Sequence, residues 1–305
     1  IRDCAHHLQK HLAHVPALRS TEVLPLYARL SQTEQDQIFK PHGQRRIVIA
    51  TNVAETSLTV PGIRYVIDSG LARVKRYSYR QKVEQLQVEP ISQAAANQRS
   101  GRCGRVAEGI AIRLYDEADF NKRAPFTDPE ILRSSLAGVI LRMKQLGLGS
   151  VQDFAFIEPP KQRAIQDGYQ LLGELGAIDE AQELTTVGKT LARWPLDPRV
   201  GRMLLAAKER GALAEVLVIA AALSVQDVRE RPIDKQTQAD QAHKPYDDEK
   251  SEFTGTLRLW QWLQTARGGH GKDGDQHRLS NRQYEQLLRE RHLNARRVRE
   301  WRAAY

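Results

Sequence analysis

Short apolar runs punctuate the first third of the chain: Arg46-Ile47-Val48-Ile49-Ala50, Tyr65-Val66-Ile67-Asp68 and Ile110-Ala111-Ile112-Arg113-Leu114. Unbroken runs of this length predict strands covered on both faces, as in a parallel sheet. A fourth run, Thr21 to Tyr27, predicts a strand ending at a Leu26-Tyr27-Ala28 turn. Residues 1–14 predict a helix that stops before Val15-Pro16. Ser31 with Glu34 three residues on is a capping box and predicts another helix start. Strands alternating with helices predict an α/β layer fold with a parallel sheet, in which ligands bind beyond the carboxyl ends of strands. Ala72 to Val88 alternates polar and apolar residues around Ser78-Tyr79-Arg80, which predicts a projecting β-hairpin.

The pattern changes after Pro125. Ile131, Leu132, Leu136, Val139, Ile140, Met143 and Leu146 follow helical spacing closed by Gly147, and a second helix is predicted over Lys161–Leu175, closed by Gly176. Thr185-Thr186-Val187-Gly188 opens a further element. A small, mainly helical module with a short β-wing fits this stretch. From Asp197 the chain is predicted helical. Val216 to Leu223 is nearly all apolar but too short to span a membrane, so it predicts a buried helix. Asp234 to Lys250 is polar and predicts an exposed connection. Trp260 and Trp262 fall in a further helix, Gly268 to Asp275 in a loop, and the last segment is rich in arginine.

The 305 residues carry a net charge of +9 and two cysteines, Cys4 and Cys103, far apart. The charge suits a polyanionic partner, although a merely basic soluble protein has the same balance. Two separated cysteines build no disulfide framework, and no secretory or membrane-spanning signal is visible, so a reduced, cytoplasmic protein is expected. The chain opens on Ile1 without a methionine and stops at Tyr305 without a tail, so it is expected to be a fragment.

Gln98-Arg99-Ser100-Gly101-Arg102-Cys103-Gly104-Arg105 is the most informative run. Read as a helix opening, it places Gln98, Arg102 and Arg105 on one face. Three convergent donors suit a polyphosphate, and arginine forks bind it bidentately without losing their charge. Gly101 and Gly104 are expected to let the helix approach a neighbouring backbone. A solvated basic face is the plainer reading, but it would favour better helix formers than glycine. Ala50 to Gly62 clusters hydroxyl and amide side chains directly after a strand, where they can donate to phosphate or sugar oxygens. A capped helix start would explain Thr56 or Ser57 alone, not the whole run.

Ala50–Gly62 and Gln98–Arg105 resemble motifs V and VI of superfamily 2 helicases in their DEAH-box form. Leu26-Tyr27-Ala28-Arg29-Leu30-Ser31 resembles the bacterial version of motif IV, and Ile131 to Gly149 the family's winged-helix domain. Arg193-Trp194-Pro195-Leu196-Asp197-Pro198-Arg199 and Leu223-Ser224-Val225-Gln226-Asp227 resemble its helical-bundle domain. The ordered set is similar to the large bacterial ATP-dependent RNA helicases of the HrpA type. The resemblance implies a second RecA-like domain over 1–122 with its hairpin at 72–88, a winged helix over 123–192 and a ratchet-like helical bundle over 193–305. It implies ATP with Mg²⁺ as cofactor, the magnesium ligands lying on a first RecA-like domain. Gln98, Arg102 and Arg105 would contact the γ-phosphate, with the arginines as fingers. Phe39 would stack on adenine and Thr59 would lie near the ribose. Thr51 and Arg73 would hold RNA phosphates, and the hairpin would help separate strands. The partners implied are single-stranded or partly duplex RNA and the first RecA-like domain, with the ribosome a further candidate and no membrane. The intact protein would couple ATP hydrolysis to 3′-to-5′ movement on RNA. A non-catalytic RNA-binding module and a DNA-directed helicase of the same superfamily remain alternatives.

Three positions depart from the pattern. Cys103 replaces a common alanine and is small enough to pack. Pro61 stands where eukaryotic relatives carry an aspartate, which puts sugar recognition in question. Ala28-Arg29 replaces a glycine-containing pair, and Arg29 would be either an extra phosphate contact or a solvated cation. The 305 residues contain no G-x-x-x-x-G-K-[ST] loop and no Asp-Glu-Ala-His run. Gly268-Gly269-His270-Gly271-Lys272-Asp273 imitates the loop, but Asp273 replaces the required hydroxyl. Cys4, His7, His11 and His14 share one face at ligand-like spacing, yet one straight helix cannot wrap four ligands around a zinc ion, so no metal is assigned. Trp260, Trp262 and Trp301 read as core or interface anchors, with base stacking by Trp301 the alternative.

Overall fold

The computed structural model describes Ile1–Tyr305 apart from Arg29, Ser31, His42, Ser57, Ile233, Asp234 and residues 269–278, and apart from the side chains of Arg2 and Gln32. The Ser31 half of the capping box, the Arg29 contact and most of the 268–275 loop therefore lie outside the described residues. The chain divides into two units, Ile1–Leu136 with Ala155–Ala164, and Ala137–Phe154 with Ile165–Tyr305.

In the first unit, β1 (Glu22–Leu26) pairs in parallel with β2 (Arg46–Ala50), Val23 opposite Ile47 and Leu26 opposite Ala50. β3 (Tyr65–Asp68) pairs in parallel with β6 (Ile110–Arg113), Tyr65 opposite Ile110 and Asp68 opposite Arg113. The apolar runs thus form parallel strands, but not fully buried ones. β2 is half-buried, and Tyr65, Ile67, Ile110 and Ile112 are exposed. The described sheets have two strands each. α1 (Arg2–Ala13) sets Ala5, Leu8 and Leu12 on one helical face and packs them on Val23, Ile47 and Ile49. α4 (Gln93–Ser100) packs against β3. The odd-numbered residues of β3 share the opposite face with Ile110 and Ile112.

β4 (Leu71–Ser78) and β5 (Val83–Pro90) form the hairpin, running from Leu71 opposite Pro90 to Ser78 opposite Val83. Tyr77 is buried, and its N–H donates to Arg133 O at 2.7 Å. α2 (Gln32–Gln37) and α3 (Val53–Thr56) follow β1 and β2, and α5 (Glu117–Lys122) follows β6.

The helix predicted from Ile131 divides. Glu130–Leu132 is a 3-10 turn, and α6 spans Ala137–Leu146. Between them lie Ser134 and Ser135, whose side chains compete for backbone hydrogen bonds. Gly147 and Gly176 follow α6 and α7 (Gln162–Glu174), each at φ 66°, the left-handed conformation that closes helices. The expected wing is a single antiparallel bridge, Ile178 to Leu184. Thr185 then caps α8 (Thr186–Arg193), and Asp197 caps α9 (Pro198–Glu209).

The core of the second unit is built on α10 (Leu213–Ser224), α12 (Glu252–Ala266), α13 (Asn281–Glu290) and α14 (Ala295–Ala304). Trp301 is 2% exposed, packs 4.8 Å from Trp260, and donates Nε1–H to Val218 O at 3.1 Å. It is a core anchor and has no face free for a base. The arginine-rich end is partly structural. Arg297 is buried with its guanidinium on Asp227 O, and Arg302 donates to Leu263 O at 2.7 Å.

The polar stretch after Asp234 is not the predicted exposed connection. It contains α11 (Gln236–His243) and a 3-10 turn at Lys244–Tyr246. Ala239, His243 and Tyr246 lie four and three residues apart, on one face, and all three are buried. Composition hid them because histidine reads as polar. His243 Nε2 lies 3.1 Å from both Arg291 O and His292 O, the geometry of a neutral ring donating to two carbonyls. Burial lowers its pKa, opposed by those carbonyls and aided by the charges of Arg229 and His292. The unfolded chain therefore takes up this proton first as pH falls. Stability from this site is complete above about pH 6.5 and declines below it, by at most about 1.4 kcal/mol per pH unit. All four tryptophans lie in this unit, so urea unfolding followed by their fluorescence reads it. The decline between pH 6.5 and 5 should shrink in His243→Gln, and an unchanged slope would contradict the assignment.

Candidate functional site

The octet does not continue as a helix. α4 is capped at its start by Ser92, whose Oγ accepts Ala95 N–H at 3.2 Å, and it ends at Ser100 with Gly101 as its cap. Arg102 and Arg105 therefore sit in the turns that follow, not on one helical face with Gln98. Glycine costs roughly 1 kcal/mol in a helix interior, and two glycines three residues apart end this one. The expected close approach is also not seen. A Cβ on Gly101 would meet only carbonyls of its own helix at 3.5 Å, and one on Gly104 would meet nothing within 4 Å. Cys103 is buried, with its thiol 3.0 Å from Ser100 O.

The two arginines converge by another route. Arg102 donates one guanidinium nitrogen to the Glu55 carbonyl and lies 3.5 Å from Thr59 Oγ1 through another. Arg105 reaches the same hydroxyl at 3.3 Å. Among the described residues neither arginine forms an ion pair. Two guanidinium groups thus share one neutral oxygen and keep most of their donors for an anion. They lie on an open face. Two cavities in this unit, of about 610 and 460 Å³, are lined around Lys40 and Arg46 and around Arg113 and Phe120, and neither includes Arg102, Arg105 or Thr59.

The other expected residues are placed separately. Gln98 is exposed in the last turn of α4. Phe39 is 43% exposed in the turn after α2, its N–H held by Asp36 O. Thr51 is exposed at the carboxyl end of β2. Its N–H donates to Leu26 O, and its Oγ1 lies 3.5 Å from Val53 N, at the opening of α3. Arg73 is exposed on β4 opposite Val88. The basic hairpin is partly neutralised: Lys75 pairs with Glu84, and Arg76 with Glu89 and Asp128. Arg73 and Arg80 remain exposed.

Sequence reasoning missed the residue at the centre. Arg99 donates Nε–H to Glu55 Oε2 at 2.9 Å, and its NH1 to Asp68 Oδ1 at 2.7 Å and Leu71 O at 3.1 Å. Burial opposes its charge, but the two carboxylates outweigh burial and raise its pKa. Asp68 is 3% exposed. Burial disfavours its anion, yet the Gly70 N–H, Arg99 and the Tyr115 hydroxyl hold its carboxyl below the usual carboxylate range. Tyr115 donates to Asp68 Oδ2 at 2.9 Å, so both carboxylate oxygens are engaged. A carboxylate ending an apolar strand was the available signal, since a charge there demands a buried partner.

Asp116-Glu117-Ala118-Asp119 follows β6 and places three carboxylates within four residues. Two of those carboxylates are engaged locally. Asp116 caps α5 through the Asp119 N–H, and Asp119 pairs with Arg123 at 2.5 Å. Among the described residues no group of three or more His, Cys, Asp or Glu side chains is placed to hold a metal ion, and no helix is long and apolar enough to cross a membrane.

Residues 3–107 match the model of the helicase conserved C-terminal domain, and residues 197–292 that of the ratchet-like helicase associated domain, HA2. The chain is 54% identical to the ATP-dependent RNA helicase HrpA of Escherichia coli (strain K12) over 311 residues, covering 100% of this chain and 23% of that protein. It is 52% identical to the HrpA homolog of Haemophilus influenzae over 312 residues, with the same shares. The human protein named probable ATP-dependent RNA helicase DHX34 is 36% identical over 289 residues, 90% of this chain and 25% of that protein. The chain thus spans about a quarter of the length of these relatives.

Proposed function

The chain belongs to the DEAH-box RNA helicase family, of which it carries the conserved C-terminal and HA2 domains, and on that premise we propose that it supplies one half of an ATP site and part of an RNA track. One observation carries this reading: Arg102 and Arg105 meet at the Thr59 hydroxyl without a carboxylate partner. A γ-phosphate brought there by a first RecA-like domain receives both forks. As the phosphoryl group leaves, charge spreads over its outer oxygens and the two arginines stabilise it. Gln98 and Phe39 then serve the phosphate and the adenine, and Thr59 lies by the ribose. Magnesium would be held by carboxylates of the first domain, and would supply charge neutralisation to the phosphates when bound.

Thr51 and Arg73 are the proposed backbone contacts to single-stranded or partly duplex RNA. Arg80, exposed at the hairpin tip, adds positive charge beside that track. The mainly helical stretch after Lys122 serves as a winged helix, and the helices after Trp194 as a bundle closing over the strand. The intact protein converts ATP turnover into 3′-to-5′ movement on RNA. Phosphate release by a protein joining this chain to its first RecA-like domain tests the reading. Oligouridine should stimulate turnover well beyond oligothymidine of the same length. Equal stimulation would favour a DNA-directed helicase, and none with either would favour a non-catalytic binding module.

A further inference from the structure

The octet contains an arginine to which no phosphate role falls. Arg99 is 15% exposed and sits between three elements: Glu55 on α3, Asp68 at the end of β3 and Leu71 at the start of β4. Two of these, α3 and β4, lead to residues of the proposed site. Leu71 is two residues before Arg73 on the same strand. α3 opens on Val53, whose N–H faces Thr51 Oγ1. Glu55 is used twice, its carboxylate by Arg99 and its main-chain carbonyl by Arg102. A shift of α3 therefore moves the carbonyl that holds Arg102.

We propose that Arg99 is a positioning residue that ties the RNA-backbone contacts, Thr51 and Arg73, to Arg102 and Arg105, so that RNA engagement sets the geometry of the arginine pair. This rests on the reading of those four residues given above. Arg99 touches neither substrate. It pins Glu55 against the fixed carboxylate of Asp68, whose Oδ1 also accepts the Gly70 N–H and whose Oδ2 accepts the Tyr115 hydroxyl. A buried ion pair adds little stability over an apolar replacement of equal shape, and register is its better-attested use. Lysine keeps the charge but has no planar fork to span Glu55, Asp68 and Leu71 at once.

The test uses the protein that joins this chain to its first RecA-like domain, with Arg99→Lys and Glu55→Gln as variants and single-stranded oligouridine as the probe. Phosphate release is measured with and without RNA, and RNA binding by fluorescence anisotropy. Arg99→Lys should reduce the ratio of RNA-stimulated to RNA-free turnover about tenfold, a coupling of ordinary size. KM for ATP and the affinity for oligouridine should change little, because Arg99 contacts neither. Glu55→Gln should lower the same ratio. The proposal is overturned if stimulated and RNA-free rates fall in equal proportion with the melting temperature, since that marks a purely structural residue. It is also overturned if the ratio is unchanged while the unaltered protein is stimulated normally. If the unaltered protein shows no RNA stimulation, the site reading and this proposal fall together.

Discussion

Arg105→Ala, in a protein that joins this chain to its first RecA-like domain, should lower ATP turnover by about a thousandfold on the proposed reading, the smaller end of what removing an arginine finger costs. The loss should appear in kcat, because the proposed role of the guanidinium is on charge that develops in the transition state. KM for ATP changes much less. Folding is not the cause. Arg105 is exposed, and its recorded side-chain bond is to a hydroxyl that Arg102 also reaches. Such surface changes shift stability by about 0.5 kcal/mol or less. Arg105→Lys should recover little, since an ammonium cannot present two parallel donors to a phosphoryl group. Steady-state phosphate release at saturating ATP and oligouridine, beside a thermal melt of each variant, decides the matter. A fall of less than tenfold with an unchanged melt would remove Arg105 from the phosphate site.

The strands were legible because apolar runs of four or five residues bounded by polar turns have few other solutions. β2, β3 and β6 lie where Arg46–Ala50, Tyr65–Asp68 and Ile110–Leu114 predicted. Their exposure was not legible, because a run reports apolar side chains and not which face a neighbour covers. The glycines of the octet were misread. Their missing side chains predict a close backbone approach, whereas their effect is to end α4 at Ser100. The residue types that meet at Thr59 were legible, but not the geometry that brings them together. Thr59 and Arg102 are 43 residues apart, Glu55 and Arg99 44. Only the packing of α3 beside α4 brings them together. His243 and Trp301 show the same limit. A local window reads His243 as polar and leaves Trp301 between a core anchor, which it is, and a base-stacking face in a basic helix, and both are buried by partners more than 40 residues away.

The second large effect concerns the chain alone. Hydrolysis needs a metal ion on the β- and γ-phosphates and a group that orients the attacking water. Residues 1–305 contain no phosphate-binding G-x-x-x-x-G-K-[ST] loop. The acidic run at Asp116–Asp119 is taken up in capping α5 and pairing Arg123. On the proposed reading, the chain offers a pair of cations that completes an ATP site rather than forming one. The most direct measurement is therefore phosphate release by purified 1–305 with Mg-ATP and oligouridine, before and after joining to its first RecA-like domain. The account predicts no turnover above buffer for the chain alone, and RNA-stimulated turnover that depends on Arg105 once the domains are joined. An RNA-stimulated rate from 1–305 by itself, abolished by Arg105→Ala, would contradict it.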